Sequence, residues 1–165
     1  MKRLIYLSVL VLAACGCGAK EGADTKAAAD STSVTPAFMA GRIHAMEDSI
    51  FEKPAFDRRG AVALLDVYKA YAKAYPLDSL APEYLVRAAG IQRNLKDPQA
   101  AVDIYDRVIR DYPNWPDVVA CYYQKALIYQ DDMKELGKAK QAYEEVIQRF
   151  PDHTFGKEAK VMIDN

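Results

Sequence analysis

Residues 101–113 read AVDIYDRVIRDYP and residues 139–151 read AKQAYEEVIQRFP; residues 64–76, LLDVYKAYAKAYP, repeat the same frame. Each stretch ends on an aromatic followed by proline: Tyr75-Pro76, Tyr112-Pro113 and Phe150-Pro151. Counting back from it gives Leu64, Tyr68, Tyr71 and Tyr75, then Ala101, Tyr105, Val108 and Tyr112, then Ala139, Tyr143, Val146 and Phe150. At about 100° per residue, positions spaced this way fall within roughly 60° of one helix face. Proline has no N–H to donate and disfavours helix in the residue before it, so each pattern stops at its aromatic. The frames recur after 37 and then 38 residues, inside the range of roughly 20–50 that marks a solenoid of stacked repeats.

Between the frames lies room for a second helix. Leu85, Ala89 and Gln92 align at 37 residues with Tyr122, Ala126 and Tyr129, and the alanines let neighbouring helices approach closely. Asp97-Pro98 has the order of a cap followed by a first-turn proline, and Ser79 stands ahead of Pro82 in a similar role. Asp57, Asn114 and Thr154 are further cap candidates. Thr35-Pro36 opens an extra helix carrying Phe38, Ile43, Met46 and Ile50, and Phe155, Ala159, Met162 and Ile163 form a short closing helix. Solenoid ends need such covers, or an apolar face stays wet. No stretch between residues 37 and 163 alternates as a strand does.

The order small residue, aromatic four later, small or aliphatic three later, proline five beyond resembles the second-helix signature of the tetratricopeptide repeat. Ala101, Tyr105, Val108 and Pro113 match it, as do Ala139, Tyr143, Val146 and Pro151. The long connections after each Tyr-Pro resemble an envelope subgroup that includes the lipoprotein of the outer-membrane β-barrel assembly machine and the C-terminal domain of the Tol–Pal coordinator. The resemblance spans residues 58–163, and Gln92 departs from it where an aromatic is expected. It implies an all-α, short tetratricopeptide-like solenoid of about six to seven helices in antiparallel pairs, acting as a protein-interaction scaffold.

The N-terminus addresses the chain. Lys2 and Arg3 precede an apolar run over residues 4–12, then Leu12-Ala13-Ala14-Cys15, the layout of a secretory leader. The run is far shorter than the roughly 20 residues a membrane-spanning helix needs. Leu-Ala-Ala-Cys resembles the lipobox of bacterial lipoproteins, which implies cleavage before Cys15 and acylation of it, and more than one acyl chain holds a protein stably. Cys17 fits the lipobox less well. Residues 16–36 are Ala, Gly, Ser, Thr and charge, with Val34 the one large aliphatic. Such a stretch cannot bury enough apolar surface to offset its ordering entropy and reads as a tether, with a reach of roughly 25 Å. The expected division is residues 1–14 leader, 15–36 lipidated cysteine and tether, 37–165 repeat domain. Gly16 follows the lipid cysteine where an aspartate would resemble an inner-membrane retention signal, so the expected location is the outer membrane facing the periplasm.

Composition narrows the function further. Loss of Lys2 and Arg3 with the leader leaves 20 basic against 23 acidic side chains, a net charge near −3, with no electrostatic footprint for nucleic acid. His44 and His153 stand near opposite ends of the repeat region, and Cys121 shares a repeat position with Ala159, which favours a small buried residue over a nucleophile. Asp131, Asp132 and Glu135 ahead of a turn at Gly137 lack the alternation of a cation-binding loop. No catalytic residue, metal, cofactor or small-molecule substrate is expected.

The partner is expected to be a protein or peptide of the cell envelope, with the lipid as the membrane contact. Architectural self-association, binding of peptidoglycan-associated proteins, or service as an accessory subunit of an envelope transport complex are the alternatives. By the family's register, Val86, Gly90 and Arg93 from one first helix and Tyr123, Leu127 and Gln130 from the next line its groove. The family's tail-binding members hold a terminal carboxylate with lysine and asparagine, which these positions lack. Tyr123, on a different face from Tyr122, is the expected contact residue, whose loss should weaken capture and spare helicity. Trp115 beside Pro116 reads as a packing cap.

Overall fold

The structure is a computed structural model that describes residues 34–52, 55 and 57–164. The leader, Cys15, Cys17 and nearly all of the tether lie outside these residues. Among the described residues seven α-helices run in order: α1 Pro36–Phe51, α2 Arg58–Ala74, α3 Leu80–Asn94, α4 Pro98–Asp111, α5 Val118–Leu127, α6 Leu136–Arg149 and α7 Thr154–Asp164. No strand occurs among the described residues. Each helix packs on the next in the chain, so α1–α2, α3–α4 and α5–α6 form antiparallel pairs and α7 closes the end.

Local chemistry sets most boundaries. The side chains of Thr35, Asp57 and Asp97 accept from the backbone N–H of Phe38, Gly60 and Ala100, each cap contributing about 1 kcal/mol. Pro36, the last residue of the expected tether and with Thr35 the expected opening of an extra helix, is the first residue of α1. Three expected caps differ. Ser79 makes no cap bond; Asp78 takes the Leu80 N–H instead, at 2.9 Å. Asp117 rather than Asn114 stands at the head of α5. Thr154 is already helical, and the His153 ring accepts the Phe155 N–H at 3.1 Å. The turn into α6 is made by Lys134, at φ 59°, as Lys96 at φ 68° makes the turn into α4; Gly137 lies in the first turn of α6.

The repeat stripe is the core. Leu64, Tyr68 and Tyr71, then Ala101, Tyr105 and Val108, then Ala139, Tyr143 and Val146 are all buried. Tyr68 stacks on Tyr84 with ring centres 5.3 Å apart, and Tyr71 meets Tyr84 edge-on at 4.7 Å; such pairs add about 1 kcal/mol beyond the area they bury. Cys121 is a buried free thiol, in register with the buried Ala159.

The extra residue of the second repeat has a definite place. Ala126 matches Ala89 at a spacing of 37, both fully buried, whereas the left-handed Lys134 matches Lys96 at 38. Between them a π-helical turn, Ile128–Asp132, follows α5, with Met133 N–H donating to the Ile128 carbonyl at 3.0 Å. A π-turn absorbs one added residue without breaking the helix on either side.

Candidate functional site

Two clefts of the molecule are lined by residues of successive odd-numbered helices, α1 with α3 and α3 with α5. In the gap between α1 and α3, Glu47 is buried although charged, at 7% exposure. It accepts from the Tyr68 hydroxyl and from Arg87 Nη1 at 2.6 Å, while Arg87 Nη2 reaches Glu83 at 2.5 Å and His44 Nδ1 lies 3.1 Å from the other Glu47 oxygen. Burial alone would raise the Glu47 pKa. The hydrogen bonds from Tyr68 and Arg87, with the charges of Arg87 and His44, outweigh it and hold the carboxyl below its ordinary value. Beside this network opens a cleft of about 490 Å³ lined by Ile50, Phe51, Leu64, Gly90, Ile91 and Asn94, among others.

The gap between α3 and α5 holds a second cleft, of about 550 Å³, where Val86, Gly90, Arg93 and Asn94 face Ala120, Gln124 and Asp132. Arg93 Nε donates to Asp132 at 2.5 Å across it, both side chains about one-third exposed. Gly90 and Asn94 line both clefts. A β-carbon built on Gly90 would meet nothing within 4 Å. Glycine inside a helix costs about 1 kcal/mol relative to alanine, and here no crowding requires it.

The gap between α5 and α7 is closed. Tyr123 stacks on Phe155 at 4.8 Å and leans on Tyr143 at 5.8 Å, and only 8% of it is exposed. The expectation that Tyr123 is a groove contact is therefore corrected: it is a core residue covered by α7. Leu127 is half-buried in the same cluster. Gln130 lines a separate recess with Leu136, Lys140, Tyr143, Met162 and Ile163. Of the six residues expected in one groove, the structure brings together Val86, Gly90 and Arg93 and places Tyr123, Leu127 and Gln130 one gap further on. Equivalent positions on successive repeats point the same way along a solenoid. Val86 and Arg93 face forward to α5, so their equivalents on α5 face forward to α7. The residues that face back across the gap, Ala120 and Gln124, were not singled out by sequence; offsetting the pattern by three residues, about 60° around the helix, would have found them.

Tyr122 is also buried, against Phe150 at 5.4 Å with Arg149 above its ring. The abundance of tyrosine on α5 reflects burial on two sides, against α6 and α7. His44 and His153 are exposed, and Cys121 is buried; burial pushes its thiol up to about 12, leaving almost no thiolate at neutral pH. Among the described residues no three His, Cys, Asp or Glu side chains are grouped to hold a metal. No described helix is long and apolar enough to cross a membrane.

The tetratricopeptide repeat family model matches residues 83–114 and 120–153. The match falls on the pairs α3–α4 and α5–α6, and α1–α2 and α7 lie outside it. No curated protein matches the chain. Among solved structures it is similar to the crystal structure of MamA, at 24% identity and a TM-score of 0.41, over 70% of this chain and 70% of that one.

Proposed function

We propose that the chain is a membrane-anchored scaffold of the bacterial envelope, without catalytic activity of its own, that holds a segment of a protein partner along α1, α3 and α5. The observation that carries this reading is that Gly90 and Asn94 line both clefts, which we read as one trough without a side chain at position 90. Its walls are apolar at Ile50, Phe51, Ile91 and Val86 and polar at Asn94, Gln124, Arg93 and Asp132. Apolar walls give affinity and polar groups fix orientation when an extended segment or an amphipathic helix docks. The lipobox-like residues 12–15 support anchorage through Cys15, and Gly16 after it supports the outer membrane facing the periplasm.

The test is photo-crosslinking in living cells from position 124, with position 103 on the exposed face of α4 as the control. A discrete protein adduct from 124 and none from 103 is the expected result. Equal labelling from both positions removes the groove, and adducts with a second copy of the chain replace partner capture with self-association.

A further inference from the structure

The loops after α2 and α4 lie side by side at one edge of the solenoid and form a shallow cleft of about 520 Å³. Its apolar residues include Pro76, Leu77, Pro82, Tyr112, Trp115 and Pro116. Leu77 is 99% exposed. The corresponding loop after α6, Pro151-Asp152-His153, has neither a leucine nor a tryptophan. The repeat frame demands the aromatic-proline pair at each loop but makes no demand for Leu77, whereas Trp115 packs half-buried against the core and lines the cleft with the rest of its surface.

The same edge receives the N-terminal part of the chain. The Tyr75 hydroxyl, immediately ahead of Pro76 and Leu77, donates to the Val34 carbonyl. Only 18 residues separate Val34 from Cys15, and for a chain of that composition the reach is roughly 25 Å. An anchor at Cys15 would therefore join the repeat region at this edge.

The chemistry of the edge suits a lipid surface. Prolines remove backbone N–H donors that would otherwise lose water among headgroups. Tryptophan favours the boundary between headgroup and acyl chain, where its ring is apolar and its N–H stays wet. The acids present are engaged: Asp78 accepts the Leu80 N–H, and Asp111 is paired with Arg107 at 3.3 Å and Arg110 at 2.9 Å. Lys73 and Arg110 stand in the last turns of α2 and α4, directly ahead of the two loops. We infer that this edge docks on the membrane that holds the chain, with Leu77 entering the headgroup–acyl boundary and Trp115 beside it. The inference rests on the lipid anchor at Cys15. It leaves the trough over Gly90 free for a partner.

Trp115 is the only tryptophan of the chain, so its emission reports on this edge alone. The lipid-modified full chain is reconstituted on phosphatidylcholine–phosphatidylethanolamine vesicles containing lipids brominated near the headgroup end of the acyl chain, and flotation is measured in parallel. The expected result is quenching of Trp115 in the floating wild type and its loss in Leu77→Asp, which floats equally and keeps the same helical circular dichroism. Moving a leucine out of an apolar boundary shifts a docking equilibrium roughly ten- to a hundredfold. A chain that floats with Trp115 unquenched, or quenching that Leu77→Asp leaves unchanged, overturns the docking and keeps the anchor. A lipid-modified chain that does not float overturns both.

Discussion

Gly90 separates a demand of the fold from a demand of the trough. Replacing it by alanine adds a β-carbon with no atom within 4 Å, inside the helix Leu80–Asn94. The change removes the glycine penalty and restricts the unfolded chain, so stability should rise by about 0.5–1 kcal/mol. For a domain of this size that moves the urea midpoint up by roughly 0.3–0.5 M, taking a slope of about 2 kcal/mol per M. The assay is urea unfolding of the full chain followed by circular dichroism, wild type and variant side by side. A midpoint that falls would show position 90 to be crowded and would refute the open trough. Gly90→Leu extends the test to function. Its side chain enters the trough at a position that lines both clefts, so helicity should persist while crosslinking from position 124 drops roughly tenfold or more. A stable Gly90→Leu protein that captures its partner as before would place the partner elsewhere.

Other perturbations probe the same packing. Tyr123→Ala removes a ring held between Phe155 and Tyr143 and should cost about 3 kcal/mol, read as a fall in melting temperature; an unchanged melt would return Tyr123 to the surface. Gly156→Ala sets a β-carbon 2.0 Å from the Phe150 carbonyl oxygen and should loosen α7, seen as faster amide hydrogen exchange over residues 154–164 with α3 and α4 unaffected. Glu47 has a folded pKa below its ordinary 4.5, so its contribution is complete above that value and is lost as pH falls through the lower folded one. Glu47→Gln should therefore unfold more easily at pH 7 and converge with the wild type as pH falls below the lowered folded pKa; a constant difference between the two would refute the charge argument. Cys15→Ser should move the chain from the membrane to the soluble envelope fraction, and retention in the membrane would dismiss the anchor.

The pairing of helices was legible because the aromatic-proline frame repeats three times with its apolar positions on one face. The caps were legible only where a side chain stands next to its helix with no competitor. Asp57 and Asp97 meet that condition, while Asp78 outcompetes Ser79 from one residue earlier. Lys96 and Lys134 adopt left-handed φ without glycine, so nothing in their identity marked the turns. The groove was legible only in part. Sequence register identifies equivalent residues on α3 and α5, but a gap between two helices is lined by the forward face of one and the backward face of the next.

By itself, the sequence determined an all-helical solenoid, its repeat length and its buried stripe, since each comes from periodicity along one helix. Tertiary structure decided which gaps stay open. Stacking translates every repeat along one axis, so the same kind of position is covered at Tyr123 by α7 and left half-open at Val86. The π-turn accommodates the residue that makes the second repeat 38 long, and it lies where Asp132 meets Arg93. Neither outcome is carried by a single helix, because each depends on which helix comes next and how far the chain has turned before reaching it.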